Sequence, residues 1–186
     1  MKHFTAAFVK LCKKGDRKAQ RELFEMLYAS MFRVSQRYIP QHTEAEDCTM
    51  RALMRMFQRL SEFEFTGEHS LFMWVRKMVV NEALMELRKK NSFYLMTEET
   101  IAEIPDQSDV LQQMHAEELV ELITQLPTGY RTVLNLFVVE GYTHKEIAEM
   151  LGITESTSKT QYQKAKARLK KMVEQHGWRS YGKLGE

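Results

Sequence analysis

Cysteine is scarce in this chain, and its placement excludes two chemistries at once. Cys12 and Cys48 are the only two and form no CxxC pair. Neither a disulfide framework nor a thiolate zinc site can be assembled from them, which fits a reducing cytoplasm. Three prolines and eight glycines are few for 186 residues, and they stand at breaks between periodic segments. No glycine-rich phosphate loop can be built from glycines so dispersed. The six histidines make no HExxH and no ligand set with the cysteines, so no metal and no cofactor are expected. No serine or aspartate has the surroundings of an activated nucleophile, so the chain is not expected to be an enzyme. No apolar run approaches the roughly 20 residues that would span a bilayer. The N-terminal "MKHFTAAFVKLCKKGD" has a short apolar patch but no small-residue cleavage site, so neither a signal peptide nor membrane insertion is expected.

Charge is present in both signs but unevenly placed. Residues 1–91 carry 17 Lys/Arg against 11 Asp/Glu, a net of +6. Residues 92–130 carry 8 acids and no Lys or Arg, and residues 131–186 carry 10 basic against 6 acidic residues, a net of +4. Two cationic lobes flanking an anionic connector is not something that folding alone requires.

Apolar spacing predicts helices throughout and no strand. Leu23, Leu27, Met31, Val34 and Tyr38 recur at three and four residues, and Pro40 ends that helix. Thr43 is the expected N-cap of the next, with Glu44, Glu46 and Asp47 in the first turn where the dipole favours acids. This helix runs to about Leu60 on Ala45, Cys48, Ala52 and Met56. A loop broken by Gly67 follows, then a helix from about Ser70 carrying Leu71, Trp74, Val75, Met78, Leu84 and Leu87 to a basic end. Residues 92–107 lose the period and begin an acidic linker. Spacing resumes through Leu111, Met114, Leu119, Leu122 and Leu126. Pro127 opens another helix that Gly141 stops.

The segment "THKEIAEMLGITESTSKTQYQKAKARLKKM" reads as two helices joined by a tight turn. Thr143 and Glu146 fit a capping box. Ile147, Ala148 and Leu151 face inward, Gly152 permits the turn, Ile153 plugs it and Thr154 caps the last helix. Tyr162, Ala165, Leu169 and Met172 or Val173 form its buried stripe. From Glu155 to Val173 this helix holds six Lys/Arg and one acid. A cationic helix in that setting suits a major groove about 12 Å wide, although a solvated basic face is the plainer reading of lysines alone. Ser156, Thr157, Thr160, Gln161 and Gln163 could hydrogen-bond base edges, while Lys159 and Lys164 neutralise phosphates. Ser158 stands where a branched apolar anchor is expected. In the first lobe, Phe65, Gly67 and His69 precede a helix with Arg76, Lys77 and Asn81. Aromatics, cations and an amide together suit unstacked DNA, with Phe65 the stacking candidate and Trp74 read as core.

The order of these pieces resembles the extracytoplasmic-function (ECF) sigma factors, a class of bacterial RNA polymerase sigma subunits in the sigma-70 family. "LFMWVRKMVVNEALMELRKK" and "GYTHKEIAEMLGITESTSKTQYQKAKARL" carry the resemblance, which covers about residues 5–175. It implies an all-α fold of two small domains. Residues 1–91 would be sigma region two, 92–113 a linker, 114–175 the region-four helix-turn-helix, and 176–186 a tail. It further implies core RNA polymerase and promoter DNA as partners, and an anti-sigma factor as restraint. Glu46, Asp47, Met50, Arg51 and Met54 would lie on the polymerase-docking helix. Phe65, Gly67, His69, Arg76, Lys77 and Asn81 would serve the −10 element. Ser156, Thr157, Lys159, Thr160, Gln161, Gln163 and Lys164 would serve the −35 element. Met50 and Arg51 replace the family's usual glutamine and acid, and Ser158-Lys159-Thr160-Gln161 replaces its Val-Lys-Ser-Arg run, implying altered docking and an unusual −35 sequence. A polymerase-independent helix-turn-helix regulator and a sigma-like protein-binding adaptor remain open as rivals.

Overall fold

The computed structural model describes residues 4–90 and 116–175, so the expected linker and tail lie outside the described residues. The chain divides into two units, Met1–Lys89 and Lys90–Glu186. Among the described residues every regular element is helical.

The first unit holds α1 (Ala6–Lys13), α2 (Arg17–Tyr38), α3 (His42–Arg59) and α4 (Glu68–Lys89). The short α1 is absent from the sequence reading. Thr5 caps it by accepting from Phe8 N at 3.1 Å, and it buries Val9 and Cys12 three residues apart. Asp16 caps α2 by accepting from Ala19 N at 2.8 Å. The expected stripe Leu23, Leu27, Met31, Val34 and Tyr38 is buried along α2. It packs against α3 and α4, which also pack on each other. Small residues make the α3 side, since Ala45, Cys48 and Ala52 are all buried. Burying each larger side chain of this core contributes roughly 1.5–3 kcal/mol. Thr49, inside it, is satisfied: its Oγ1 lies 2.8 Å from Ser35 Oγ and 2.7 Å from the Ala45 carbonyl oxygen.

Thr43 does not cap α3. The helix begins at His42, and its N-cap Gln41 makes no side-chain capping bond. Extended backbone at Ile39 and Gln41 around Pro40 puts the turn earlier than the capping rule suggested. The helix expected from about Ser70 begins at Glu68. Ser70 accepts from Thr66 N at 3.3 Å and donates to the Gly67 carbonyl at 2.6 Å, folding the loop back on the helix start.

The second unit holds α5 (Ala116–Thr124), α6 (Thr128–Leu134), α7 (His144–Leu151) and α8 (Glu155–Gln175). Leu111 and Met114 lie outside the described residues. Leu122, Ile123, Leu126, Tyr130 and Leu134 pack with Ala165, Leu169 and Val173 of α8. Pro127 precedes α6, where its missing N–H costs nothing. The helix then widens over Asn135–Val139, closing with Glu140 N donating to Asn135 O at 3.0 Å, and Gly141 at φ +77° turns the chain away.

Candidate nucleic-acid interfaces

The turn in the second unit is built by local rules. Thr143 Oγ1 accepts from Glu146 N at 3.3 Å while Glu146 Oε2 accepts from Thr143 N at 2.8 Å. The Thr143 N–H and the Thr143 hydroxyl, which also donates to Glu146 Oε2 at 2.7 Å, hold the exposed Glu146 carboxyl below its usual pKa. Gly152 ends α7 at φ +68°, ψ +34°, a left-handed geometry that glycine adopts without strain. Ile153 is half-buried beneath the turn. Thr154 Oγ1 accepts from Thr157 N at 3.0 Å and starts α8.

On α8, Ser156, Lys159, Thr160 and Gln163 are all exposed. Their spacing of three, four and seven residues places them on one face of the first turns. Lys159 pairs with Glu155 at 2.6 Å, and the lysine pulls the exposed Glu155 carboxyl below its usual pKa. Lys164 is half-buried at the margin of that face. Two expected base readers are turned elsewhere. Thr157 Oγ1 lies 2.8 Å from Thr154 Oγ1 and belongs to the cap. Gln161 is half-buried with its Oε1 fully enclosed.

Ser158 faces the opposite side and is fully buried, as the apolar anchor it replaces would be. Its Oγ shares a hydrogen bond with Nδ1 of His144, the first residue of α7, at 2.9 Å. The imidazole stacks on Phe137 at 4.4 Å and 9°, and Tyr162 lies 4.7 Å from Phe137. Burial lowers the His144 pKa from 6.5; Lys159 lowers it further, and Glu155 opposes both. A polar clasp thus joins the two helices of the turn.

Arg131 is another residue the sequence reading left aside. Although charged, it is buried, and its Nη1 donates to the carbonyls of Thr124 at 3.0 Å and Leu126 at 2.7 Å. It satisfies the chain end of α5 much as a helix-end cation would. Burial brings its pKa down to about 10, so it stays charged at neutral pH.

In the first unit, His69, Met73, Lys77 and Asn81 step along α4 at four-residue intervals, all exposed. Phe65 is half-buried in the loop before them, and Gly67 holds φ +148° there. Phe63 is buried, with its ring 4.8 Å from that of the half-buried Trp74. Arg76 is half-buried and off the His69–Asn81 line.

On α3, Asp47, Met50 and Met54 are exposed, Met54 at 60%. Glu46 is half-buried and accepts from Tyr28 Oη at 3.0 Å. Arg51 is turned toward α4, meeting Glu82 at 2.9 Å and Glu86 at 3.0 Å. Arg55 meets the other oxygen of Glu82 at 3.1 Å. Burial works against the Arg51 charge, but the Glu82 bond and the charges of Glu86 and Glu82 outweigh it and raise its pKa. Glu82, 3% exposed, is therefore a buried acid held by two arginines.

Among the described residues no group of His, Cys, Asp or Glu could hold a metal, and no helix is long and apolar enough to cross a membrane. Two family models match the chain in order: "Sigma-70 region 2" over residues 23–93 and "Sigma-70, region 4" over residues 116–169. The chain is 24% identical over 179 residues to the ECF RNA polymerase sigma factor SigW of Bacillus subtilis, covering 89% of this chain and 94% of that one. It is also 24% identical over 159 residues to the ECF RNA polymerase sigma factor SigM of Mycobacterium tuberculosis, covering 86% and 79%. The solved sigma factor RpoE of Bartonella quintana, in complex with the anti-sigma factor NepR, aligns with 83% of this chain and 96% of its own at 19% identity, TM-score 0.49.

Proposed function

The chain belongs to the extracytoplasmic-function sigma factors of the sigma-70 family, and we propose how its two units divide the search for a promoter. It is a sigma subunit: it binds core RNA polymerase and promoter DNA to start transcription, and it is not an enzyme. The region-four unit reads the −35 element through Ser156, Lys159, Thr160 and Gln163, with Lys164 on a flanking phosphate. The first three short or cationic side chains sit where a recognition helix enters the groove. Thr157 and Gln161 act indirectly, through the helix cap and the packing beneath it.

The region-two unit engages the −10 element through the loop holding Phe65 and Gly67 and the line His69, Lys77 and Asn81, with Arg76 beside it. Asn81 offers donor and acceptor to an unstacked base, and Lys77 a charge to its phosphate. Asp47, Met50 and Met54 meet the polymerase, with Glu46 at the edge and Arg51 acting through the α3–α4 contact. An anti-sigma partner is part of this reading, as is a cytoplasmic site of action.

The observation that carries the −35 assignment is the exposed quartet on the first turns of α8, directly after a capped helix and a left-handed glycine. The test is transcription with core polymerase on the DNA upstream of the protein's own gene. Promoter-dependent transcripts are expected, and a Thr160→Ala, Gln163→Ala variant should lose preference among −35 sequences while keeping core binding. Unaltered −35 preference in that variant would remove the quartet from recognition.

A further inference from the structure

Six cations cluster where α1 meets α2: Lys10, Lys13, Lys14, Arg17, Lys18 and Arg21, all exposed, with Asp16 the single acid in the stretch. None belongs to the promoter-reading residues assigned above. Two have defined contacts. Lys13 Nζ donates to the carbonyls of Phe63 and Ser61, and Arg21 pairs with Glu25 at 3.7 Å. Lys10, Lys14, Arg17 and Lys18 make no ion pair among the described residues.

Folding accounts for only part of the cluster. Lysines at the end of α1 suit its dipole, but Arg17 and Lys18 open α2, where the dipole disfavours cations and where the only acid nearby is the Asp16 carboxylate that caps the helix. Placement adds a second argument. Lys10, Lys13 and Lys14 share one face of α1 by their spacing. Lys13 on that face reaches the backbone of Ser61 and Phe63, immediately before the loop with Phe65 and Gly67. Phe4 N donates to Glu68 Oε1 at 3.3 Å, tying the start of the chain to the first residue of α4. Through Lys13, the end of α1 thus rests against the chain just before the loop that carries Phe65 and Gly67.

We propose that the α1–α2 corner is a phosphate-binding surface, through which Lys10, Lys14, Arg17 and Lys18 hold the promoter backbone beside the −10 element. The proposal rests on the reading that the Phe65–Asn81 surface engages DNA. Flexible lysines on a convex corner follow a backbone and read no bases, so the corner contributes grip and salt dependence and no sequence preference.

The experiment measures holoenzyme binding to a promoter fragment across a salt series. Each phosphate contact contributes about 0.7 to the log–log salt slope on single strands and about 0.9 on duplex. Replacing Lys10, Lys14, Arg17 and Lys18 by Gln is expected to flatten the slope by about 3–3.5 while −10 base preference stays unchanged. A Lys14→Arg, Arg17→Lys variant keeps the charge and should keep the slope. Arg17→Gln with Lys18→Gln should also slow hydrogen exchange at the start of α2, because it removes cations from a helix start; a merely structural role would speed it. An unchanged slope in the four-site variant overturns the proposal. So does weakened core-polymerase binding with an unchanged DNA slope, which would assign the corner to protein. Asn81→Ala tests the underlying reading separately: if −10 preference survives it, that reading fails whatever the corner does.

Discussion

Ser158→Ala tests whether the recognition helix is held by the polar clasp. Ser158 is fully buried and its Oγ is 2.9 Å from His144 Nδ1. An intramolecular hydrogen bond contributes about 0.5–1.5 kcal/mol net, and a buried group left without a partner costs about 1–3 kcal/mol. His144 is only half-buried, so water can replace part of the loss, and about 1 kcal/mol is the reasonable figure. The assay is native-state hydrogen exchange on the intact chain, because two units make a single unfolding free energy ill-defined. Amides of α7 and α8 should exchange about fivefold faster in Ser158→Ala, with α2–α4 unaffected. Ser158→Val paired with His144→Leu should recover most of that protection, since replacing both partners with apolar groups is nearly neutral. Acidification gives an independent reading. Burial and Lys159 depress the His144 pKa, so the unfolded chain takes up its proton first as pH falls. Stability from this group is complete above the ordinary value of 6.5 and declines as pH drops through that value toward the folded one. The acids Glu146 and Glu155 are themselves depressed from 4.5, so they titrate lower and leave the window clear. If Ser158→Ala and His144→Ala act additively, or if His144→Gln leaves α7–α8 protection equally dependent on pH between 7.5 and 5, the clasp does not hold the helix.

Gly152→Ala should destabilise the turn by about 1–2 kcal/mol, read as faster exchange in α7 and α8. The cause is backbone alone, because a Cβ there meets nothing within 4 Å at φ +68°. Arg131→Met keeps much of the apolar stem but leaves the Thr124 and Leu126 carbonyls without their charged donor, costing about 2–3 kcal/mol and loosening α5 first, again by hydrogen exchange. Met54→Ser, at a side chain 60% exposed, should leave hydrogen exchange of α2–α4 within about twofold of the parent, a change of under about 0.5 kcal/mol, while weakening core-polymerase binding about tenfold in a competition assay.

What was legible in the sequence is what short-range rules decide. The capping box, the left-handed glycine and the Thr154 cap each involve residues within three or four positions, and all stand where the sequence puts them. The apolar stripe of α2 reads directly from helical spacing. Thr43 shows the limit of a local rule, since Gln41 and Pro40 compete for the same helix start. The contacts that remained hidden join residues distant in sequence. His144 and Ser158 are 14 positions apart, and Arg51 and Glu82 are 31 apart. A signal for the second did exist: Glu82 is a lone acid among the apolar residues Val79, Val80, Ala83 and Leu84, and Arg51 and Arg55 share a face one turn apart. Arg131 gave no such signal, because a helix cation reads as solvated until its carbonyl partners are placed.

The departures from the family pattern change meaning once geometry is included. An arginine at position 51 in place of an acid would be repulsive on a docking surface that expects negative charge. Here its guanidinium is paired with Glu82 and Glu86, so its charge is neutralised locally although the side chain stays exposed beside Asp47, Met50 and Met54. On the proposed docking role, this face would offer exposed, adaptable thioether surface in place of charge, gaining by burial and losing little to screening. The same logic holds at Ser158, where a polar side chain replaces an apolar anchor and finds its partner in His144 instead of being left buried alone. In both places the substitution that looks weakening in one dimension is compensated across a helix pair. On the proposed reading, such compensation leaves both surfaces presented and changes only the chemistry each offers a partner.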